Sequence, residues 1–135
     1  MTSREPGYIS ARELKDERQT ILNHNLIVDS LRRKKVFTTE LQIDNTARDI
    51  PFLPTNGAFL ILVQGVDNEM PTLISACTKV DVGVAGAIAN LGSQNGTGAT
   101  WNTAALTISS TATNFQIAHS LAQTGDFLIT VVGWM

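Results

Sequence analysis

Formal charge is the scarcest commodity in this chain. Only 16% of its 135 residues are charged, against the ~25% usual for soluble domains. From Val82 to Gly125 there is no Asp, Glu, Lys or Arg, and His119 is the one histidine in that stretch. A net charge of −2 excludes the strongly basic balance of a dedicated nucleic-acid binder, and "RRKK" at Arg32–Lys35 reads as a solvated helix end. The single cysteine, Cys77, cannot form an intrachain disulfide, so the fold does not require an oxidising compartment. Its apolar surroundings, "TLISACTKV", mark it as a buried, inert thiol. The longest apolar run, "AFLILV", is too short to cross a bilayer. The polar, charged start "MTSREPGYISARELKDERQ" is not that of a cleaved signal peptide. These absences lead to the expectation of a cytoplasmically made protein with no membrane insertion.

Chemistry is sparse too. His24 and His119 lie in different segments and no second cysteine exists, so no His-x-x-His, Cys-x-x-Cys or Asp-x-Asp spacing can hold a metal. No serine sits in Gly-x-Ser-x-Gly, and neither histidine has an acidic neighbour in sequence. A nucleophile would therefore lack its base and the group that orients it. "GVAGAIANLG" has no Gly-x-Gly and no following Gly-Lys-Ser/Thr, so it is packing material rather than a phosphate loop. After residue 50 the acidic residues are Asp67, Glu69, Asp81 and Asp126. Asp67 and Glu69 belong to the turn "VDNEMP" and make a poor pair for glycoside cleavage. The expectation is a non-enzyme without catalytic residues, metal or cofactor.

The charge that is present is segregated. Residues 1–50 hold nine of the ten Lys and Arg and eight of the twelve Asp and Glu. Within them, "SARELKDERQTILNHNLIVDSLRRKK" lacks Gly and Pro from Ser10 to Lys35 and reads as a helix. Ser10 and Glu13 form a capping box, and the basic cluster at the far end complements the helix dipole. Leu14, Ile21 and Val28 recur every seven residues, with Leu31 completing an a/d step. That stripe serves either packing onto the chain's own β domain or self-association and docking, as a short bundle whose register polar residues such as Asn25 would fix.

From Val36 the period changes to two. "VFTTELQI", "AFLILVQGV", "TLISACTKV", "ALTIS", "NFQIAHS" and "DFLITVVGW" are strands, separated by turn-rich pieces such as "DIPFLPTNG". "VGVAGAIANLG" is either a small-residue strand or a short helix over about 84–91. Spacing near ten residues with hairpin-length links predicts a mainly β protein: an antiparallel β-sandwich or jelly roll, residues 36–135, behind a helical anchoring segment, residues 1–35. The last strand is apolar on both faces, with Phe127, Ile129 and Val131 opposite Leu128, Val132 and Trp134. It is therefore expected to be central or pressed against another subunit. His119 alternates with Phe115 and Ile117 and reads as a core or interface histidine.

One stretch invites a ligand. In "SQNGTGATWNT", Gln94, Asn95 and Thr97 lie in or beside a flexible-backbone loop, and Trp101 stands next to Asn102. An indole face edged by amides and hydroxyls grips neutral sugars; a core or interface plug is the other reading of Trp101. Edge strands without Lys or Glu invite pairing with other chains, and neutral faces can be buried between subunits without desolvating charge. The layout therefore predicts an oligomer, with Leu14, Ile21, Val28, Leu31 and Trp134 as its contacts.

A helical segment followed by a Gly/Thr/Ser/Asn-rich β domain ending in "FLITVVGWM" resembles, in texture over residues 36–135, the accessory virion proteins of tailed bacteriophages: tail-fibre tips, head fibres and capsid decoration proteins. The resemblance implies a homotrimeric β-knob assembled into a virion in the host cytoplasm. The N-terminal segment would contact other virion proteins, and the knob a host surface glycan or protein. Capsid decoration is the alternative within that class, and a free-standing carbohydrate-binding module the alternative outside it.

Overall fold

The computed structural model describes residues 15–25 and 34–134. The chain divides into two compact units, Met1–Arg33 and Lys34–Met135. In the first, residues 15–25 form a helix, α1. Its exposed side is knitted locally: Thr20 Oγ1 donates to the Asp16 carbonyl at 3.0 Å and Gln19 Nε2 to Asn23 Oδ1 at 3.1 Å. Ile21 and Leu22 are both exposed. The Ser10–Glu13 capping box and Leu14, Val28 and Leu31 lie outside the described residues. The expected helix extended to Lys35, but Lys34 and Lys35 are strand residues paired with Trp134 and Gly133. The extended pairing that begins at Val36 carries two residues further back along its partner.

The second unit contains, among the described residues, β1 (Lys34–Ile43), β2 (Arg48–Asp49), β3 (Gly57–Gly65), β4 (Thr72–Lys79), β5 (Ala87–Gln94), β6 (Leu106–Ser110), β7 (Phe115–His119) and β8 (Gly125–Trp134). A five-stranded sheet, β1-β8-β3-β4-β5, faces a three-stranded one, β2-β7-β6, and every pairing is antiparallel. β8 is an interior strand, flanked by β1 and β3, in keeping with its two apolar faces. β1 pairs with β8 in one sheet and β2 with β7 in the other. The short β3–β4 and β4–β5 connections, however, keep a meander in one sheet rather than dividing it between two. The segment "VGVAGAIANLG" is strand, not helix, from Ala87 onward, because β4 offers it a free edge and the pairing satisfies both backbones. "DIPFLPTNG" begins inside the two-residue β2, which β7 captures through Arg48 and Asp49.

Period-two alternation sets the core. Phe59, Ile61 and Val63 of β3, and Phe127, Ile129 and Val131 of β8, are each no more than 2% exposed. They meet Phe115 and Ile117 of β7 and Ile108 of β6 across the sandwich. Phe37, Phe52, Phe59 and Phe115 form an aromatic relay with ring centroids 5.4–5.9 Å apart.

Three polar residues complete the interior. Ser75 is 1% exposed and donates from Oγ to the Ala89 carbonyl at 3.2 Å. Lys79 is 2% exposed, and its Nζ donates to the carbonyls of Val84 at 2.5 Å and Ala112 at 2.8 Å. It thereby ties the loop after β4 to the β6–β7 turn. His119 sits between two backbone groups: Nε2 lies 2.8 Å from the Ile43 carbonyl, and Nδ1 accepts from Leu121 N at 3.0 Å. The tautomer that satisfies both carries its proton on Nε2.

The register gives the sandwich two unlike ends. At the root, where Lys34 enters and Trp134 closes β8, Gly57 pairs with Lys79. There Leu53, Val80, Val82 and Val84 are exposed on loops. At the tip, loops after β1, β3, β5 and β7 come together and are cross-tied. Thr97 N donates to the Glu69 carbonyl at 2.9 Å, Ala105 N to Ser120 Oγ at 2.9 Å, and Gln123 Nε2 to the Thr100 carbonyl at 2.6 Å.

Candidate functional site

The outward face of the five-stranded sheet is the place where sequence and structure leave something unfinished. Pairing aligns its side chains in rows across the strands. Nearest the root run Lys34, Trp134, Ala58, Thr78 and Ala87; next come Val36, Val132, Leu60, Ala76 and Ala89. The third row is Thr38, Thr130, Leu62, Ile74 and Gly92, and the fourth Glu40, Leu128, Gln64, Thr72 and Gln94. The second row is apolar throughout. Val36 in that row is 62% exposed and Trp134 in the first 45%, whereas Leu62 and Ile74, 38% and 44% exposed, belong to the third row. Burying such side chains is favourable by about 25 cal/mol per Å², so the root half of this face gains from being covered.

The tip half of the same face is hollowed. A depression of about 430 Å³ lies over β8, β3, β4 and β5. Its floor is Leu62, Ile74 and Leu128, and its polar lining includes Gln64, Thr72, Gln94 and Thr130. Gly92 opens it on the β5 side, since a Cβ there would have nothing within 4 Å.

The residues expected from sequence are distributed unevenly over these surfaces. Gln94 lines the depression. Asn95, Thr97 and Asn102 are exposed on the β5–β6 tip loop. Trp101 is 8% exposed and stands edge-on to His119 and Phe127, with centroids at 5.4 and 5.9 Å. Gly125 lies so close to the indole that a Cβ there would collide with it, and Gly96 is as close to the Trp101 backbone. The indole is a plug between loop and core and presents no open face for a sugar to stack on. Trp134 lies in the row nearest the root, and Ile21 is exposed on α1; their companions Leu14, Val28 and Leu31 fall outside the described residues.

Sequence reasoning missed Leu60, Leu62, Gln64, Thr72 and Ile74. The available signal was in "AFLILVQGV", where Leu60 and Leu62 alternate with Phe59, Ile61 and Val63, so that both faces are apolar, as in β8.

Burial pushes the Cys77 thiol above its ordinary value, partly countered by the Ser75 hydroxyl beside it. Asp81 follows β4 at the root whereas Asp126 opens β8 at the tip, roughly 30 Å away along a ten-residue strand, so they cannot flank one bond. Among the described residues no group of three or more His, Cys, Asp and Glu is placed to hold a metal, and no helix is long and apolar enough to cross a membrane.

No protein-family model matches the chain, and no curated protein sequence matches it. Among solved structures it is similar to the tailspike protein of Acinetobacter phage vB_ApiP_P1, with 16% sequence identity and a TM-score of 0.47 over 75% of this chain. The chain spans about a fifth of that tailspike, 21% of its length.

Proposed function

We propose that this chain is a non-enzymatic structural protein of a phage virion: a trimeric β-knob whose root joins the particle and whose tip faces the host surface for attachment. The observation that carries the reading is the division of one sheet face into an uncovered apolar root half and a polar, hollowed tip half. The texture shared with accessory virion proteins supplies the class. Self-association covers Trp134, Val132, Val36 and Leu60, and the ordered, hydroxyl- and amide-bearing tip loops remain free.

The root half of the outward face measures roughly 20 Å by 10 Å from strand spacing and rise, about 200 Å² in plan. That is below the ~800 Å² per partner of a standard interface. The N-terminal segment, with Ile21 and its heptad companions, supplies the rest by bundling with its copies, and it also contacts neighbouring virion proteins.

Attachment is favoured over capsid decoration because the tip loops are cross-tied by three hydrogen bonds while remaining solvent-facing. A preorganised surface loses little entropy when it binds. The test is sedimentation equilibrium of the full chain at micromolar concentration, joined with immunogold labelling of particles from the source lysate. A three-chain mass and labelling at the tail are expected. A single-chain mass, or particles that never carry label, would overturn the reading.

A further inference from the structure

The attachment reading leaves open what the tip half of the sheet holds, and the depression there answers with its chemistry. We propose that it binds one sugar unit of an uncharged glycan, an inference that rests on the attachment reading. At about 430 Å³ the space falls within the range of small-ligand sites. The apolar floor of Leu62, Ile74 and Leu128 matches the C–H face of a pyranose.

The polar groups match its hydroxyls. The fourth row sets Gln64, Thr72 and Gln94 side by side on adjacent strands, so two amides and one hydroxyl offer both donors and acceptors along one line. Thr130 adds a hydroxyl from the next row. Among the described residues the side chains of Gln64 and Gln94 have no hydrogen-bond partner, which leaves these groups for a ligand.

Charge selects among glycans. No lining residue is ionisable. The nearest formal charges on the face are Glu40, opposite Leu128, and Asp126, two residues before Leu128 on β8. The two are diagonal neighbours across β1 and β8, about 7–8 Å apart. Two carboxylates on one border repel sialylated, uronate-containing or phosphorylated sugars and still accept hydrogen bonds from neutral ones.

Gly92 supplies the decisive variant. Its position beside Ile74 opens the depression, and an added side chain meets empty space rather than the fold. The labelled full chain is applied to an array of neutral hexose and N-acetylhexosamine oligosaccharides together with sialylated and uronate-containing ones. Binding to a neutral set is expected, undiminished in about 1 M salt because no ion pair is screened. With Gly92→Trp it falls to background while chain mass and melting temperature are unchanged. The double variant Gln64→Ala/Gln94→Ala, which changes no glycine, lowers binding about tenfold or more through two lost hydrogen bonds.

Absence of any neutral glycan bound, preference for the anionic set, or equal binding by both variants would overturn the proposal. If the chain is trimeric and particle-borne yet binds no glycan, the depression is wrongly assigned and the display reading stands. A monomer that binds neutral glycan would reverse that outcome.

Discussion

Replacing Trp101 with alanine separates a ligand platform from a core plug. The indole is 8% exposed, meets His119 and Phe127 edge-on, and rests against Gly125 where no side chain would fit. Truncating a buried tryptophan costs about 3–5 kcal/mol, through lost transfer energy and the cavity left behind. The β unit spans Lys34–Met135; for a domain of about 100 residues each kcal/mol moves the melting temperature by at least ~4 °C. Trp101→Ala should therefore melt roughly 12–20 °C below the parent, with Trp101→Phe between them. The assay is a circular-dichroism melt of all three at one chain concentration, since an oligomer's melting point depends on concentration. A Trp101→Ala melting point within about 2 °C of the parent would refute the packing argument. It would also restore the indole as a surface group whose loss reports on sugar binding. On the present account, loss of glycan binding by Trp101→Ala reports only unfolding.

Other consequences are open to measurement. The Cys77 thiol, buried and pushed upward by desolvation, should resist a disulfide reagent in the native protein and react once urea unfolds it; rapid native labelling would contradict its placement. The Asp44 carboxyl is held below its ordinary value, first by the Thr46 backbone N–H and then by the Arg48 side chain. Because its folded value is the lower one, its stabilisation is present at neutral pH and fades as pH falls through that folded value. Asp44→Asn should accordingly lower the urea midpoint at pH 7 and narrow the gap between the two proteins toward pH 2; a constant gap would contradict the linkage. Gly98 has a φ of +73° and faces the Glu69 carboxylate, so Gly98→Ala should cost about 1 kcal/mol or more in a denaturant titration, and an unchanged midpoint would show that the loop adjusts.

How far the fold was legible follows from how each element is stabilised. The inward alternation of β3, β4 and β8 was readable because burial writes itself as period two. Interior placement of β8 was readable because Leu128 and Val132 are apolar on the face opposite Phe127 and Ile129. β2 was not, since two residues captured by β7 leave no period at all. The strand identity of β5 was undetermined because alanine and glycine serve either structure, and the free edge of β4 decides. Lys79 gave no signal of burial: its partners are backbone carbonyls of Val84 and Ala112, and these appear only when two distant loops meet. The depression was equally hidden, for it depends on Gly92 lying across from Ile74. By contrast, Trp101 stood out as an aromatic among amides, and the fold turned it inward through Gly96 and Gly125.

The central claim is that the root half of the outward sheet face is covered by other copies of the chain, and Trp134 reports it directly. In a Trp101→Phe background it becomes the sole tryptophan, because the chain has two. Its acrylamide quenching can be compared with and without Leu60→Lys, which places a charge in the neighbouring apolar row. Trp134 should be shielded in the background protein and freely quenched, on a folded single chain, after Leu60→Lys. Equal quenching in the two proteins, at the level of an indole half open to solvent, would contradict it.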